Sequence, residues 1–388
     1  MIQSLRCYYF LALMFFIAIL WSSQPYAKPA FPVSTTEELK VTSTLLGAES
    51  ANFMVTLPHN YQQSPNKRYV VLLDFHPRSH LMLVGMHDWM SHNGGWPWPE
   101  TIIITAPDGH QALGRLKQRA IEQQGDQALL DFFEQDLLPA IDKRYRTNGF
   151  RIFNGFTGNA GLVLYSLINR PSLFNAYIAA SPVLSADFAY VLNDAPKKLK
   201  NMQGKPRFLF VSTSDSDFEQ RQLDSFAKLE GIIQTNANSQ LNYQIKRFDG
   251  SYYMTQPILA TANGIEMIFN DVHNTVKPDS VIGKQGAKAI VEYYQHLSKQ
   301  VYGFEVSAVE SLTLLADSQL KTDPQTALST FMLAIETYPK EAGAHAALAE
   351  AYIQLGEVDK AKDSLRSALS LTEHPFYLDK WTKMLESL

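Results

Sequence analysis

The stretch FRIFNGFTGNAGLVLYSLINRP, which begins at Phe150, has the outline of a strand, a tight turn and a helix. A turn of this kind lifts one side chain at the carboxyl end of a buried strand, where a site can form. The helix after it offers main-chain N–H groups and the positive end of its dipole to a developing oxyanion. The matching chemistry is acyl transfer through a side-chain hydroxyl. Here that hydroxyl belongs to Thr157, with Gly155 and Gly158 expected to give the turn its permissive backbone. Threonine is an awkward occupant. The turn demands positive φ, which β-branched residues adopt poorly, and the methyl group crowds the attacking oxygen.

A second group of reactive side chains lies upstream in DFHPRSHLMLVGMHDWMSHNGG, with His76, His80, His87 and His92 at intervals of 4, 7 and 5. No zinc signature has that spacing and no H-E-x-x-H is present, so a pocket-lining loop is expected in place of a metal site. Trp89, Trp96 and Trp98 nearby suit an aromatic lid or ordinary loop packing. Asp74 reads as structural and Asp271 as a local turn acid. Neither a phosphate-binding loop nor a dinucleotide fingerprint occurs, and no cofactor is expected.

The elements around the elbow alternate. KRYVVLLDF, ETIIITAP, FNAYIAASP and PRFLFVSTS are short apolar runs rich in β-branched residues, as in strands covered on both faces. EELKVTSTLLG, ANFMVTLP and NYQIKRFDG alternate like strands with one drier face. DQALLDFFEQDLLPAIDKRY spaces its apolar residues as a helix bent or restarted near Pro139. Further helices are expected over FEQRQLDSFAKLEGII and DSVIGKQGAKAIVEYYQHLSKQVYG, and PKKLK reads as a solvated loop or helix end. The fold class is therefore α/β, with a mainly parallel sheet covered on both faces.

With these residues in place, the chain from about Val55 to Tyr302 resembles the bacterial putative-esterase family of α/β-hydrolases, which includes esterase D and siderophore esterases. The stretches that carry the resemblance are VLLDF, FFEQDLLPAIDKRYRTNGFRIFNGFTGNAGLVLYSL, PSLFNAYIAASP and DVHNTVKPDSVIGKQGAKAI. It implies an α/β-hydrolase fold and carboxylic-ester chemistry through an acyl-enzyme. The family's serine falls on Thr157 and its two following glycines on Asn159 and Ala160, while Gly155, Phe156, Leu164 and Tyr165 match. The resemblance puts the base on His273 and the acid on Asp215 or Asp217, with backbone oxyanion donors at Gly158 and near Phe75. The order nucleophile, acid, histidine is that of α/β-hydrolases.

The 388 residues suggest one large domain and an appendage, and a formal charge of −4 argues against a nucleic-acid binder. Arg6, the apolar run Cys7 to Trp21 and the small residues ending at Ala27 read as a secretory signal peptide, too short for a membrane span. Cys7 is the only cysteine, so a chain cleaved there would have neither disulfide nor thiolate chemistry. A periplasmic or secreted bacterial protein is expected, with no integral span after cleavage. From about Ala308 a period of 34 appears: Ala327, Phe331 and Ala334 recur as Ala361, Leu365 and Ala368, as in tetratricopeptide repeats. FYLDKWTKMLESL would cap them. The expected divisions are a signal over 1–27, the esterase-like domain over 28–305 and helical repeats over 306–388. Two functions fit: an exported esterase-type hydrolase acting on a small ester, or an inactive hydrolase-fold scaffold whose repeats bind a protein or peptide.

Overall fold

A computed structural model describes residues 34–47, 49–91, 97–107 and 112–388 of the chain. The expected signal over 1–27 lies outside these residues, as do His92 and Trp96. Two strands open the fold, β1 (Thr35–Thr42) and β2 (Ser50–Leu57), followed by β3 (Tyr69–Asp74), α1 (Ser79–Ser91) and β4 (Thr101–Thr105). Next come α2 (Ala112–Glu122), α3 (Ala128–Phe132) and α4 (Leu138–Arg144), then β5 (Thr147–Phe156) and α5 (Gly158–Asn169). β6 (Ala176–Ala180), α6 (Val191–Lys200), β7 (Arg207–Thr213), α7 (Leu223–Asn236) and β8 (Leu241–Arg247) continue the alternation. α8 (Gln256–Ile268), the short α9 (Asn270–His273) and α10 (Ala287–His296) close the α/β part.

The sheet runs in the order β1-β2-β4-β3-β5-β6-β7-β8 among the described residues. β2 pairs antiparallel with both β1 and β4, and every later pairing is parallel. The register brings Asp74, Thr105, Phe156, Ala180 and Thr213 to one edge, the carboxyl edge of the parallel strands. Every residue of β3, β4 and β6 is buried, as their unbroken apolar runs require. Beneath the elbow, Phe153 of β5 stacks on Phe174 at 4.8 Å and meets Phe75 edge-on at 5.4 Å. These rings pack under the end of β5 on one face.

The helix restarts near Pro139 as expected: a wide π-type turn spans Phe133–Leu137, and the proline occupies the first turn of α4. One local expectation changes. Within the histidine-rich stretch, where a loop was expected, Ser79–Ser91 form α1. Its His80 and His87 are two turns apart on one face, and both are buried.

The remaining helices pair as repeats: α11 (Val309–Leu320) with α12 (Pro324–Thr337), and α13 (Ala342–Gln354) with α14 (Val358–Leu371), before α15 (Pro375–Glu386). Ala327, Phe331, Ala334, Ala361, Leu365 and Ala368 are all buried, so the period-34 pattern is the seam between helices. Val309, Leu312 and Ala334 share one apolar cluster with Phe150, Phe269 and Tyr302 of the α/β part. The repeats therefore cover part of the sheet domain's own core.

Candidate functional site

Thr157 joins β5 to α5 at φ 54° and ψ −119°. The strained conformation foreseen for an elbow is present, and it falls on the threonine itself. Three main-chain bonds impose it: the Thr157 N–H donates to the Ala180 carbonyl at 3.0 Å, and its carbonyl accepts from Gly161 at 3.1 Å and Val183 at 3.2 Å. Of the pair expected, Gly155 matters, and Gly161 takes the place of Gly158. A Cβ on Gly155 would come within 2.8 Å of the Asn159 main chain, and one on Gly161 within 2.6 Å of the Phe188 ring. Gly158 has open space around it and no positive φ, so the turn does not require a glycine there.

Gly158 is the first residue of α5, and Phe75 follows Asp74 at the same carboxyl edge, so the structure brings Thr157 and both expected oxyanion positions together. Behind them lies a buried polar chain. Asp74 accepts from the His76 N–H at 2.7 Å and from the Asn154 amide at 2.6 Å, and Asn154 accepts from Thr261 at 3.2 Å. Burial pushes the Asp74 carboxyl up to about 6 despite these donors. Lys117 of α2 reaches the same region, donating to Asn159 at 3.2 Å with its ammonium 5.4 Å from the Phe75 ring. Burial brings its pKa down to about 8, opposed by the Asp74 charge. The His76 ring packs on Phe156 at 5.9 Å.

Among the described residues, a group beside the Thr157 hydroxyl is Tyr253. It opens a short 3-10 turn in the loop after β8, and its ring lies 4.9 Å from Phe156. Burial raises its pKa, and the neighbouring Thr157 hydroxyl draws it partly back. A phenol held this way keeps its proton at neutral pH.

His273 stands elsewhere. It ends α9 and lines a cavity of about 1090 Å³ with Val70, Trp98 and Asn148, which belong to the amino edge of the sheet. α8 starts beside Tyr253 and runs back down the sheet for 13 residues, roughly 20 Å at helical rise. That helix delivers His273 to the edge opposite Thr157, so the structure does not bring the two together. The His273 ring donates to the Pro97 carbonyl, burial lowers its pKa, and its Nε2 is buried without a partner among the described residues.

Asp215 and Asp217 do lie at the carboxyl edge, but both are exposed. Asp215 accepts from the Gly250 N–H at 2.7 Å and ties the β7 loop to the β8 loop. The buried acid of that loop is Glu219. It accepts from Thr213 at 2.9 Å, from the Ser214 N–H at 3.2 Å, from the Ser214 hydroxyl and from Ser216 at 3.0 Å. Its oxygens fasten the loop, and among the described residues no imidazole is hydrogen-bonded to them.

Comparison with known proteins places this geometry in a family. The profile of the family described as putative esterase matches residues 43–242, more than half of the sequence. The chain belongs to the putative esterase family. A tetratricopeptide repeat profile matches residues 320–373. A search of curated protein sequences found no match. Among solved structures, an uncharacterised protein from Capnocytophaga ochracea has a TM-score of 0.64 at 16% identity, covering 91% of this chain and 99% of that one. An IroE-like serine hydrolase from Shewanella oneidensis has a TM-score of 0.58 at 18% identity, covering 76% of this chain and 98% of that one. Identities this low show the fold alone, an esterase-like α/β-hydrolase fold followed by a helical region.

In this putative esterase the family match ends at residue 242, before both Tyr253 and His273. The chain order of an α/β-hydrolase already assigns the third partner to the loop after the last strand, and FDGSYYMT is that loop; this was the available signal for Tyr253. Glu219 could have been found as the carboxylate next to the Ser/Thr-rich run STSDS. The histidines of α1 turn out to pin the sheet. His80 joins Thr56 at 3.0 Å and Thr105 at 2.8 Å, and the His87 Nε2 accepts from the Thr101 N–H at 2.9 Å. Trp98 is buried and donates to Thr101 at 3.1 Å, whereas Trp89 is largely exposed.

Proposed function

We propose that this chain is an exported, non-hydrolytic member of its family: an esterase scaffold that binds, with tetratricopeptide helices that dock a protein or peptide partner. The observation that carries this reading is the placement of His273 at the sheet edge opposite Thr157, with the Tyr253 phenol beside the threonine. Acyl transfer needs a group that takes the hydroxyl proton as the oxygen attacks. A protonated phenol cannot take it, and the histidine expected for the task sits at the other edge of the sheet. The expected result is no turnover of short-chain p-nitrophenyl esters and no labelling by a fluorophosphonate. The double variant Thr157→Ser with Tyr253→His, which rebuilds a nucleophile and base in contact, should gain the label. Labelling of the native chain that is lost in Thr157→Ala would sink the proposal.

A second reading retains hydrolysis, favoured by the positive φ kept at Thr157 and by the His76 ring packed on the last residue of β5. It requires native labelling that disappears in both Thr157→Ala and His76→Gln. Export rests on the apolar run Cys7 to Trp21 and the small residues after it. A periplasmic product beginning at Lys28 is expected, and retention of the intact chain in the cytosol would count against it. For the repeats, a partner recovered equally well by a chain lacking residues 323–388 would exclude them as the docking surface.

A further inference from the structure

Above Tyr253 the loops after β7 and β8 meet, joined by the bond from the Gly250 N–H to Asp215. Between them lies an open depression of about 400 Å³, built from the stretch Asp215 to Phe218 and the stretch Gly250 to Met254. Its chemistry is of two kinds. Asp215 and Asp217 supply exposed carboxylates, and Phe218, Tyr252 and Tyr253 supply aromatic rings. Phe218 is 78% exposed and Tyr252 84%, side chains that a solvated loop has no reason to hold out in water. The Phe218 ring nevertheless has a defined place, stacked on Tyr253 at 5.2 Å and 24°. Among the described residues no lysine or arginine lines the depression, and the nearby Arg247 is paired with Asp249 at 2.9 Å.

Carboxylates beside aromatic faces select for cations. The ring quadrupole attracts positive charge, the carboxylates add to it, and both repel an anion. A guanidinium fits this pairing better than an ammonium, because it is planar, weakly hydrated and able to stack while its edge meets a carboxylate. We infer that this depression binds the guanidinium group of an arginine-bearing peptide. The inference goes beyond the non-hydrolytic reading: a binding assay decides it, whereas fluorophosphonate labelling decides the other.

The test uses the full chain and a fluorescent Gly-Arg-Gly peptide, with its citrulline twin as the neutral isostere, in anisotropy titrations. The arginine peptide should bind at least about tenfold more tightly than the citrulline peptide. Asp217→Asn and Phe218→Ala should each weaken it by about three- to tenfold. Asp363→Asn, which removes an exposed acid on α14, should change nothing. Equal binding of the two peptides overturns the inference, as does a loss in Asp363→Asn equal to that in Asp217→Asn.

Discussion

At Thr157 the chain holds a β-branched residue at φ 54°, a conformation that costs roughly 1–3 kcal/mol. The Ala180, Gly161 and Val183 main-chain bonds hold it there. Thr157→Gly keeps those bonds and removes the strain, so the melting temperature should rise by a few degrees. A fall would mean that the contact with Tyr253 is worth more than the strain. Asp74 makes a prediction of the opposite kind. Its folded-state pKa of about 6 lies above the roughly 3.9 of an exposed aspartate, so the folded protein holds the proton more tightly. Its contribution to stability is full below pH ~4 and is lost as pH rises through 6. The gap between the folded and exposed values corresponds to about 3 kcal/mol. Urea unfolding between pH 4 and 7 should show this decline in the native chain and a flatter profile in Asp74→Asn; parallel profiles would exclude Asp74 as its source.

The elements around the site show which signals are local and which are not. The strand, turn and helix from Phe150 to Ile168 could be read because their periods of 2 and 3.6 are written in neighbouring residues. The partner of Thr157 could not. Chain order says that a third group follows β8, but both Tyr253 and His273 do, and only the direction of α8 decides which edge each reaches. The histidines of α1 misled for a related reason. Their polarity suggested a loop, yet His80 and His87 are buried because Thr56, Thr105 and the Thr101 N–H satisfy their nitrogens. Which glycines the elbow needs is only half legible, because a sequence does not display close approach. Gly155→Ala should destabilise by about 1–3 kcal/mol, since its Cβ would meet main-chain atoms of Asn159 at 2.8 Å that cannot step aside. Gly158→Ala, facing open space, should change stability by less than about 0.5 kcal/mol. Chemical denaturation of the two variants separates them, and equal losses would show that the turn needs glycine for its backbone and not for its packing.

Over the whole molecule the decisive feature is that the repeats and the sheet domain share a core. Two repeats bury little by themselves, and a short array needs a surface to stack on. The sheet domain provides one: Leu312 and Val309 of α11 lie in the cluster that holds Phe150, Phe269 and Tyr302. One polar contact fixes the docking. Ser311 is buried, its hydroxyl accepts from the Val276 N–H at 2.9 Å and lies 2.7 Å from the Tyr294 hydroxyl. Ser311→Ala strands both partners in an apolar setting, at a cost of about 1–3 kcal/mol for each group left unpaired. Since that contact joins α11 to the α/β part, the loss should lower a single cooperative thermal transition as a whole. Calorimetry that instead shows two transitions, with only the smaller one shifted, would mean that the repeats fold as a separate unit. A shared core makes any partner docked on the repeats a ligand of the entire fold, so its binding should raise the same transition that Ser311→Ala lowers.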